Sequence, residues 1–198
     1  GSAVEALAEA CHQASAMLIH YSTDYVFDGS TRRAYKESDS VNPLSVYGRS
    51  KQQGEDAVLS SAIAHLILRT GWVYAGHGAN FVLTMQRLAR GDGPIRVVSD
   101  QFGTPTWARS LAQITGHVVA RALDRGPTWL MERRGLYHVC APDHTNWHCL
   151  AQEVIGACTS SARAKATTPI ATKDYPLPAT RPLHSVMDSS KFLDVFGL

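Results

Sequence analysis

The stretch LIHYSTDYVFDG, residues 18–29, raises a question on which both fold and function depend. Its first half is a short apolar run of the kind that forms a buried strand. Its second half changes abruptly to hydroxyl and acidic side chains. Polar side chains directly after a buried strand form either an ordinary surface turn or the floor of a binding site. The sequence on both sides of the stretch decides between these interpretations.

Helical and strand patterns alternate along the chain. Helical patterns cover residues 4–14, 46–61, 80–90, 106–123, 146–158 and 189–196. Strand patterns cover residues 16–21, 65–74, 95–99 and 136–140. We expect the rest of the chain after the fifth helix to be irregular. The alternation predicts an α/β fold, with a partial Rossmann-like, doubly wound parallel sheet and a smaller α/β substrate-binding region. Ligands of such sheets bind at the carboxyl ends of the strands, which favours a binding site at residues 21–24.

The same patterns divide the chain into two parts. Residues 1–75 are expected to form the C-terminal part of a nucleotide-binding domain, and residues 76–198 mainly a substrate-binding region. The helix at 106–123 and the strand at 136–140 could belong to either part. The stretch GHGANF, residues 76–81, comes close to a dinucleotide-binding fingerprint, but Phe81 replaces the glycine that packs helix against strand. We therefore expect a turn there.

Composition limits the classes of function. The chain has 198 residues, of which 44% are hydrophobic and 18% charged, with a formal net charge of +2. These values are typical of a globular protein and give no strong field for nucleic acid or a membrane surface. The four cysteines show no CxxC spacing, which is typical of reduced thiols in a cytoplasmic protein.

A group of metal-ligating residue types occurs near the end of the last predicted strand. Its members are His138, His144, His148 and Cys149. The histidines at 144 and 148 would share a helix face only if the helix already included the first of them. Asp143 instead looks like part of a polar lead-in to a helix. We therefore predict no metal site.

The strongest local motif is YGRSK, residues 47–51, at the start of a predicted helix. Tyr47 and Lys51 are one helical turn apart and lie on one face. A free phenol has a pKa of about 10 and rarely acts as an acid near neutral pH. A nearby ammonium favours the phenolate and lowers that pKa. The motif alone is common, and an exposed helical pair is the alternative.

The motif becomes more specific beside the hydroxyl pair Ser22 and Thr23 at a strand end. Together they resemble the short-chain dehydrogenase/reductase superfamily. The resemblance implies that Thr23 and Tyr47 bond a carbonyl oxygen and that the tyrosine protonates it. It also implies that Lys51 tunes the tyrosine and holds the nicotinamide ribose of NADPH or NADH, with Tyr21 lining the nicotinamide site.

Longer stretches are similar to one family of this superfamily, the dTDP-4-dehydrorhamnose reductases. The stretches are STDYVFDG, YKESDSVNPLSVYGRSKQQGE, LRTGWVYAG, NFVLTM, VSDQFGTPT, GLYHV and YPLPATRP. The resemblance implies reduction of the C4 ketone of dTDP-4-dehydro-L-rhamnose, a step toward cell-surface polysaccharides such as lipopolysaccharide O-antigen. It implies as substrate-binding residues Thr23, Asp24, Trp72, Asn80, Gln101 and Arg181.

This family carries a dinucleotide fingerprint at its first strand, and no stretch of this chain matches it. We therefore expect that the chain lacks the family's amino-terminal part and is inactive alone. Some family members form a magnesium-bridged homodimer. Arg109 stands here where an acid would be expected, so magnesium is not predicted, although a homodimer stays open.

The sequence argues against one neighbouring family and leaves two alternatives to this reductase open. Sugar 4,6-dehydratases carry Thr-Asp-Glu at residues 23–25, but Tyr25 replaces the glutamate, which favours reduction over dehydration. A non-catalytic binding subunit, like the regulatory subunit of methionine adenosyltransferase, is the first alternative. A reductase of another nucleotide-linked keto-deoxysugar is the second.

Overall fold

The computed structural model describes residues 2–158 and 166–197. Its helices are α1 (Ser2–Gln13), α2 (Val46–Leu59), α3 (Phe81–Ala89), α4 (Ala108–Arg125), α5 (Pro127–Met131), α6 (Trp147–Cys158) and α7 (Ser190–Phe196). Its strands are β1 (Leu18–Thr23), β2 (His65–Thr70), β3 (Val73–Tyr74), β4 (Ile95–Val98), β5 (Phe102–Gly103), β6 (Thr106–Trp107), β7 (Gly135–His138), β8 (Thr145–Asn146) and β9 (Thr167–Ile170).

The principal sheet consists of three parallel strands in the order β1-β2-β7. Parallel neighbours need a crossover, and α2 supplies the one between β1 and β2. Three two-stranded pairs lie outside this sheet: β3 with β6, β4 with β9, and the antiparallel β5 with β8. The predicted α/β fold with a parallel sheet is therefore confirmed.

The largest buried cluster lies where α4, α5 and α7 cover β2 and β7. It contains Leu66, Leu68, Leu111, Val118, Ala122, Leu130, Tyr137, Val139, Phe192 and Phe196. A second cluster packs α3 and α6 against β4 and contains Met85, Ile95, Val97, Ala151 and Ile155. Burial of these apolar side chains holds the layers together. The division into two domains stays a prediction.

Several predicted elements differ from the observed ones. β1 runs two residues further than predicted and includes Thr23. The predicted strand 65–74 is broken by Trp72, whose φ of 49° is incompatible with a strand. The region after α6 was expected to be irregular but contains β9. β9 tolerates Pro169 because β4 is its only neighbour among the described residues, so one edge needs no N–H donor.

The start of α2 is fixed by a hydrogen bond from the loop before it. The Ser45 hydroxyl accepts a bond of 3.1 Å from the Gly48 N–H, which satisfies one of the free donors of the first turn. This cap places Tyr47 in the first turn, beside the end of β1. Within the described part of the chain, no helix has the length and apolarity that a membrane crossing requires.

Candidate active site

The ends of β1 and β2 bring Thr23 and Thr70 side by side in register, and both are buried. The Thr23 hydroxyl accepts a bond of 3.2 Å from the Tyr25 N–H, which caps the 3₁₀ turn Asp24–Val26. The same hydroxyl donates to Asp24 Oδ1 at 3.1 Å. Two bonds therefore fix the orientation of the Thr23 side chain.

The Asp24 carboxyl is almost fully buried, with 3% of the residue exposed. Its other oxygen, Oδ2, accepts a bond of 2.5 Å from the Ser185 hydroxyl. Among residues 2–158 and 166–197, no basic side chain forms an ion pair with it. Burial raises the pKa of Asp24 to about 6, against the opposing effect of the bonds from Ser185 and Thr23. Asp24 therefore changes its charge close to neutral pH.

The space for this carboxyl depends on Gly71, which follows β2. A Cβ at position 71 would lie 2.7 Å from Asp24 Cγ and 2.8 Å from Oδ2. Both distances are shorter than a non-bonded contact permits, so a side chain at position 71 would displace the carboxyl. Glycine lets the end of β2 approach Asp24 closely.

From α2, Lys51 contacts β1 and Tyr47 contacts the turn that follows it. The Tyr47 side chain is open to solvent, with 55% of the residue exposed, and its ring meets the Tyr25 ring edge to face at 6.3 Å. The Lys51 ammonium donates a hydrogen bond to the backbone carbonyl of Tyr21. Burial lowers the pKa of Lys51, and the charge of Glu55 opposes this shift. The phenol and the ammonium thus lie beside the strand end that carries Thr23.

The Tyr21 side chain connects the same strand to α4. Its hydroxyl shares a hydrogen bond of 2.6 Å with the Thr115 hydroxyl, and Thr115 also donates to the carbonyl of Leu111 one turn earlier. The Tyr21 residue remains 39% exposed. One strand end therefore brings together Tyr21, Thr23, Asp24, Tyr47 and Lys51.

Trp72 lies in a second group of residues. Its indole stacks on that of Trp147, with centroids 3.4 Å apart and planes 3° apart. A Cβ on Gly103 would come within 2.3 Å of the Trp72 ring, so the backbone of β5 also lies close against it. The Gln101 amide oxygen accepts a bond of 3.2 Å from the Trp147 indole N–H. Trp72 and Gln101 are thereby joined through a residue of α6.

Gln101 and Arg181 line a cavity of about 610 Å³ between α3, β4 and the segment before α7. Aromatic and basic side chains share its wall, including Phe81, Trp147, Tyr175 and Arg96. Asn80 is placed differently. Its amide oxygen caps α3 by accepting from the Leu83 N–H at 3.1 Å, and its amide nitrogen donates to the Ala75 carbonyl at 2.9 Å.

Of the residues predicted as a turn, 76–79 form a bend, Asn80 caps α3, and Phe81 is already the first residue of that helix. Within the described ranges, no group of three or more histidine, cysteine or acidic side chains could hold a metal ion. His148 instead bonds to Thr167 of β9 at 3.0 Å, and His138 Nδ1 lies 3.1 Å from the Tyr35 carbonyl oxygen.

Sequence reasoning missed three residues of the site: Thr115, Trp147 and Ser185. Thr115 and Ser185 have no local pattern that distinguishes them from surface hydroxyls. Ser185 meets Asp24 across 161 positions of the chain. Trp147 could have been noticed, because helix starts usually carry polar capping residues and a tryptophan there is unusual. Its contact with Trp72 nevertheless depends on how α6 is placed.

Comparison with known proteins places this chain in a family. The family profile described as the RmlD substrate binding domain matches residues 1–198. The chain is 41% identical to the dTDP-4-dehydrorhamnose reductase of Salmonella typhimurium and 42% identical to that of Escherichia coli K12, in both cases over 100% of this chain. It spans 65% of the length of each of these relatives.

A solved structure agrees with the sequence comparison. The dTDP-4-dehydrorhamnose reductase of Bacillus anthracis, crystallised in complex with NADP, superposes with a TM-score of 0.85 at 30% identity, covering 98% of this chain and 64% of that one. Fold and sequence thus agree along the chain. The chain therefore belongs to the RmlD substrate-binding domain family, the family of the dTDP-4-dehydrorhamnose reductases.

Proposed function

We propose that the protein reduces the C4 ketone of dTDP-4-dehydro-L-rhamnose to dTDP-L-rhamnose, in the cytoplasm, with NADPH or NADH as the reductant. The observation that carries the proposal is the grouping of a fixed threonine hydroxyl, an exposed phenol and a half-buried ammonium at one strand end. The names of the relatives support the substrate, and the NADP complex of the Bacillus anthracis protein supports the cofactor.

The chain's own groups have separate tasks in this reaction. The Tyr47 phenol donates a proton to the carbonyl oxygen, and the Thr23 hydroxyl donates a hydrogen bond to the same oxygen. The Lys51 ammonium provides the positive charge that favours the phenolate left behind. A bound nicotinamide supplies the hydride. The residues beside the strand end suit such a ring, because Tyr21 and Tyr47 expose aromatic surface and Lys51 donates hydrogen bonds.

The cavity of about 610 Å³ suits the nucleotide part of the substrate. Its aromatic wall could stack on a base, and Arg181 could pair with a diphosphate. Gln101 has both ends of its amide bonded, to Trp147 and to Thr172, so it would shape the wall and hold the indole. Trp72 connects this cavity to the strand end and would lie against the sugar. Asn80 would set the position of α3.

The test uses the complete natural gene product that carries this sequence. Addition of dTDP-4-dehydro-L-rhamnose should cause loss of NADPH absorbance, and the product should be dTDP-L-rhamnose by mass and NMR. Tyr47→Phe and Thr23→Val should each lower kcat by at least about 100-fold, the usual contribution of a positioned acid or donor.

A matched control is Tyr137→Phe, which removes a hydroxyl outside the strand-end group. This hydroxyl donates a hydrogen bond of 2.7 Å to the Arg133 carbonyl. Its kcat should stay close to that of the natural protein. Unchanged turnover in Tyr47→Phe would exclude this tyrosine as the proton donor. Stoichiometric capture of a protein partner without turnover of any keto-sugar would exclude the enzymatic function.

A further inference from the structure

The hydrogen bonds of Thr23 create a conflict with its proposed role. The Thr23 hydroxyl has a single proton, and in the structure this proton is donated to Asp24 Oδ1 at 3.1 Å. One of its lone pairs is used by the Tyr25 N–H at 3.2 Å. A hydroxyl that gives its proton to Asp24 has none left for a substrate carbonyl. Thr23 can therefore bond a ketone only if Asp24 stops accepting from it.

The surroundings of Asp24 allow that change. The carboxyl is 3% exposed, and both of its oxygens bond hydroxyl groups: Oδ1 to Thr23, and Oδ2 to Ser185 at 2.5 Å. A Cβ at position 71 would lie only 2.7 Å from Asp24 Cγ, so the end of β2 and this carboxyl are too close for a water molecule to fit between them. A buried carboxylate with no positive partner takes up a proton more readily than an exposed one.

We propose that Asp24 and Ser185 are positioning residues for Thr23, and that protonation of Asp24 turns the Thr23 hydroxyl from a donor toward Asp24 into a donor toward the substrate carbonyl. With a proton on Oδ1, Asp24 donates to the second lone pair of Thr23. The Thr23 proton is then released for the ketone. Ser185 continues to donate to Oδ2 in both states, and it stabilises the charged form more than the neutral one.

Ser185 also links this change to the substrate-binding side of the molecule. Its N–H donates to the Phe102 carbonyl at 2.8 Å, and the Phe102 N–H donates to the Leu183 carbonyl at 2.8 Å. The segment that carries Ser185 is therefore tied to β5, whose Gly103 lies against Trp72. A shift of this segment would move the hydroxyl that holds Asp24 in its charged form.

Titratable groups on the neighbouring elements could influence Asp24 or respond to it. These groups are Tyr25, Tyr47, Cys140, Arg181 and His184. Burial raises the pKa of Tyr25 to about 12. The charge of Asp24 contributes to this increase, and the charge of Arg181 opposes it. Burial also raises the pKa of the Cys140 thiol, with a smaller contribution from Asp24. Both stay neutral through the pH range in which Asp24 titrates. Burial lowers the pKa of His184, so the profile of Asp24→Asn is needed to separate its titration from that of Asp24.

The inference rests on the proposed function, and its test separates the two. In the complete natural gene product, kcat/KM for the keto-sugar should fall as pH rises through about 6, where burial places the pKa of Asp24. Ser185→Ala removes a bond to the charged form, so the midpoint should move upward by roughly one pH unit. At pH values above the natural midpoint, Ser185→Ala should keep a larger fraction of its maximal rate than the natural protein does.

Other variants sharpen the comparison. Asp24→Asn cannot titrate, so its profile should lack this transition. Ser185→Thr keeps the hydroxyl and should keep the natural midpoint. The matched control is Ser60→Ala, since this hydroxyl bonds only carbonyls at the end of α2, and its profile should be unchanged. A purely structural role of Ser185 predicts lower rates at every pH with an unmoved midpoint.

A second readout does not depend on turnover. The side-chain carboxyl of Asp24, followed by carbon-13 NMR, should titrate near pH 6 in the natural protein and higher in Ser185→Ala. An unmoved midpoint in both measurements overturns the inference while Thr23→Val and Tyr47→Phe can still establish the reductase. Conversely, the NMR midpoint could move in a protein that does not turn over the keto-sugar. That result would overturn the proposed function and the role of Thr23 toward the ketone. It would still show that Ser185 controls the titration of Asp24.

Discussion

Trp72 and Trp147 lie face to face, with ring centroids 3.4 Å apart and an angle of 3° between the planes. Trp72 follows the end of β2, whereas Trp147 begins α6, so the stack joins the end of the principal sheet to α6. The Trp147 indole N–H is held by Gln101 at 3.2 Å. The orientation of Trp72 therefore depends on α6 as well as on its own strained backbone, with its φ of 49°.

Replacing the stacking partner should weaken substrate binding. In Trp147→Leu, Trp72 loses the aromatic contact that fixes its ring, and aromatic pairs contribute about 0.5–1.5 kcal/mol beyond burial. We expect KM for the nucleotide sugar to rise by about 2- to 10-fold, with kcat changed less. Steady-state kinetics of the complete gene product would measure both. Trp107→Leu, at a partly exposed tryptophan outside the stack, is the control, and an equal rise in its KM would contradict the prediction.

The part of the site that could be predicted is the part that is local in sequence. Thr23, Tyr47 and Lys51 lie within one βα unit, and a strand end followed by a helix start constrains where their side chains can be. In the structure, Lys51 bonds β1 itself and Tyr47 packs against Tyr25 in the turn that follows Thr23. Their catalytic roles stay predictions.

The rest depends on contacts between distant segments. Ser185 reaches Asp24 from the irregular segment before α7, and no periodicity marks it. The strand β9 was missed because Pro169 argues against a strand wherever both edges must be paired. The break at Trp72 was missed because a positive φ at tryptophan is costly and is adopted only where tertiary contacts hold it.

Filling the space at Gly71 should disturb both stability and activity. In Gly71→Ala, the new Cβ would meet the Asp24 carboxyl at 2.7 Å, so the end of β2 or the turn after β1 must shift. We expect a loss of roughly 1–3 kcal/mol in the free energy of unfolding, together with a lower kcat. Urea denaturation and turnover would measure these effects.

The control for this substitution is Gly116→Ala in α4, where a Cβ meets nothing within 4 Å. A glycine in a helix costs about 1 kcal/mol relative to alanine, so this variant should be more stable by up to that amount. If Gly71→Ala were as stable and active as Gly116→Ala, the close approach of β2 to Asp24 would not exist in solution.

The ion pair between Glu55 and Arg69 should be costly to break singly. The two side chains are joined by bonds of 2.8 Å and 2.6 Å and are both buried, with 2% and 4% of the side chains exposed. Glu55→Gln leaves a buried guanidinium without a charged partner, so the free energy of unfolding should fall by about 3–5 kcal/mol. Replacing both residues, as Glu55→Leu with Arg69→Met, should cost much less. Urea denaturation would measure each variant.

The exposed pair between Arg33 and Asp39 is the control, since the Arg33 side chain is 59% exposed. Asp39→Asn should cost far less than Glu55→Gln, because solvent screens such pairs. An effect of Glu55→Gln as small as that of Asp39→Asn would contradict the burial of the inner pair.

The free energy of unfolding should depend on pH through Asp24. Its pKa in the folded protein is about 6, above the ordinary value of 3.8, because of burial. Between these two values the folded state binds more protons than the unfolded state, so stability rises as pH falls through this window and declines as pH rises through it. At pH 8 the buried charge therefore opposes folding.

Asp24→Asn removes that charge and keeps the shape of the side chain. We expect Asp24→Asn to be more stable than the natural protein by roughly 1–3 kcal/mol at pH 8, with the difference vanishing near pH 4, where Asp24 is neutral. Thermal or urea unfolding at a series of pH values would measure this. The exposed Asp92→Asn is the control and should show little difference at either pH. A gain of the same size at pH 4 and pH 8 would mean that charge burial is not its cause, and that Asp24 does not titrate near neutral pH.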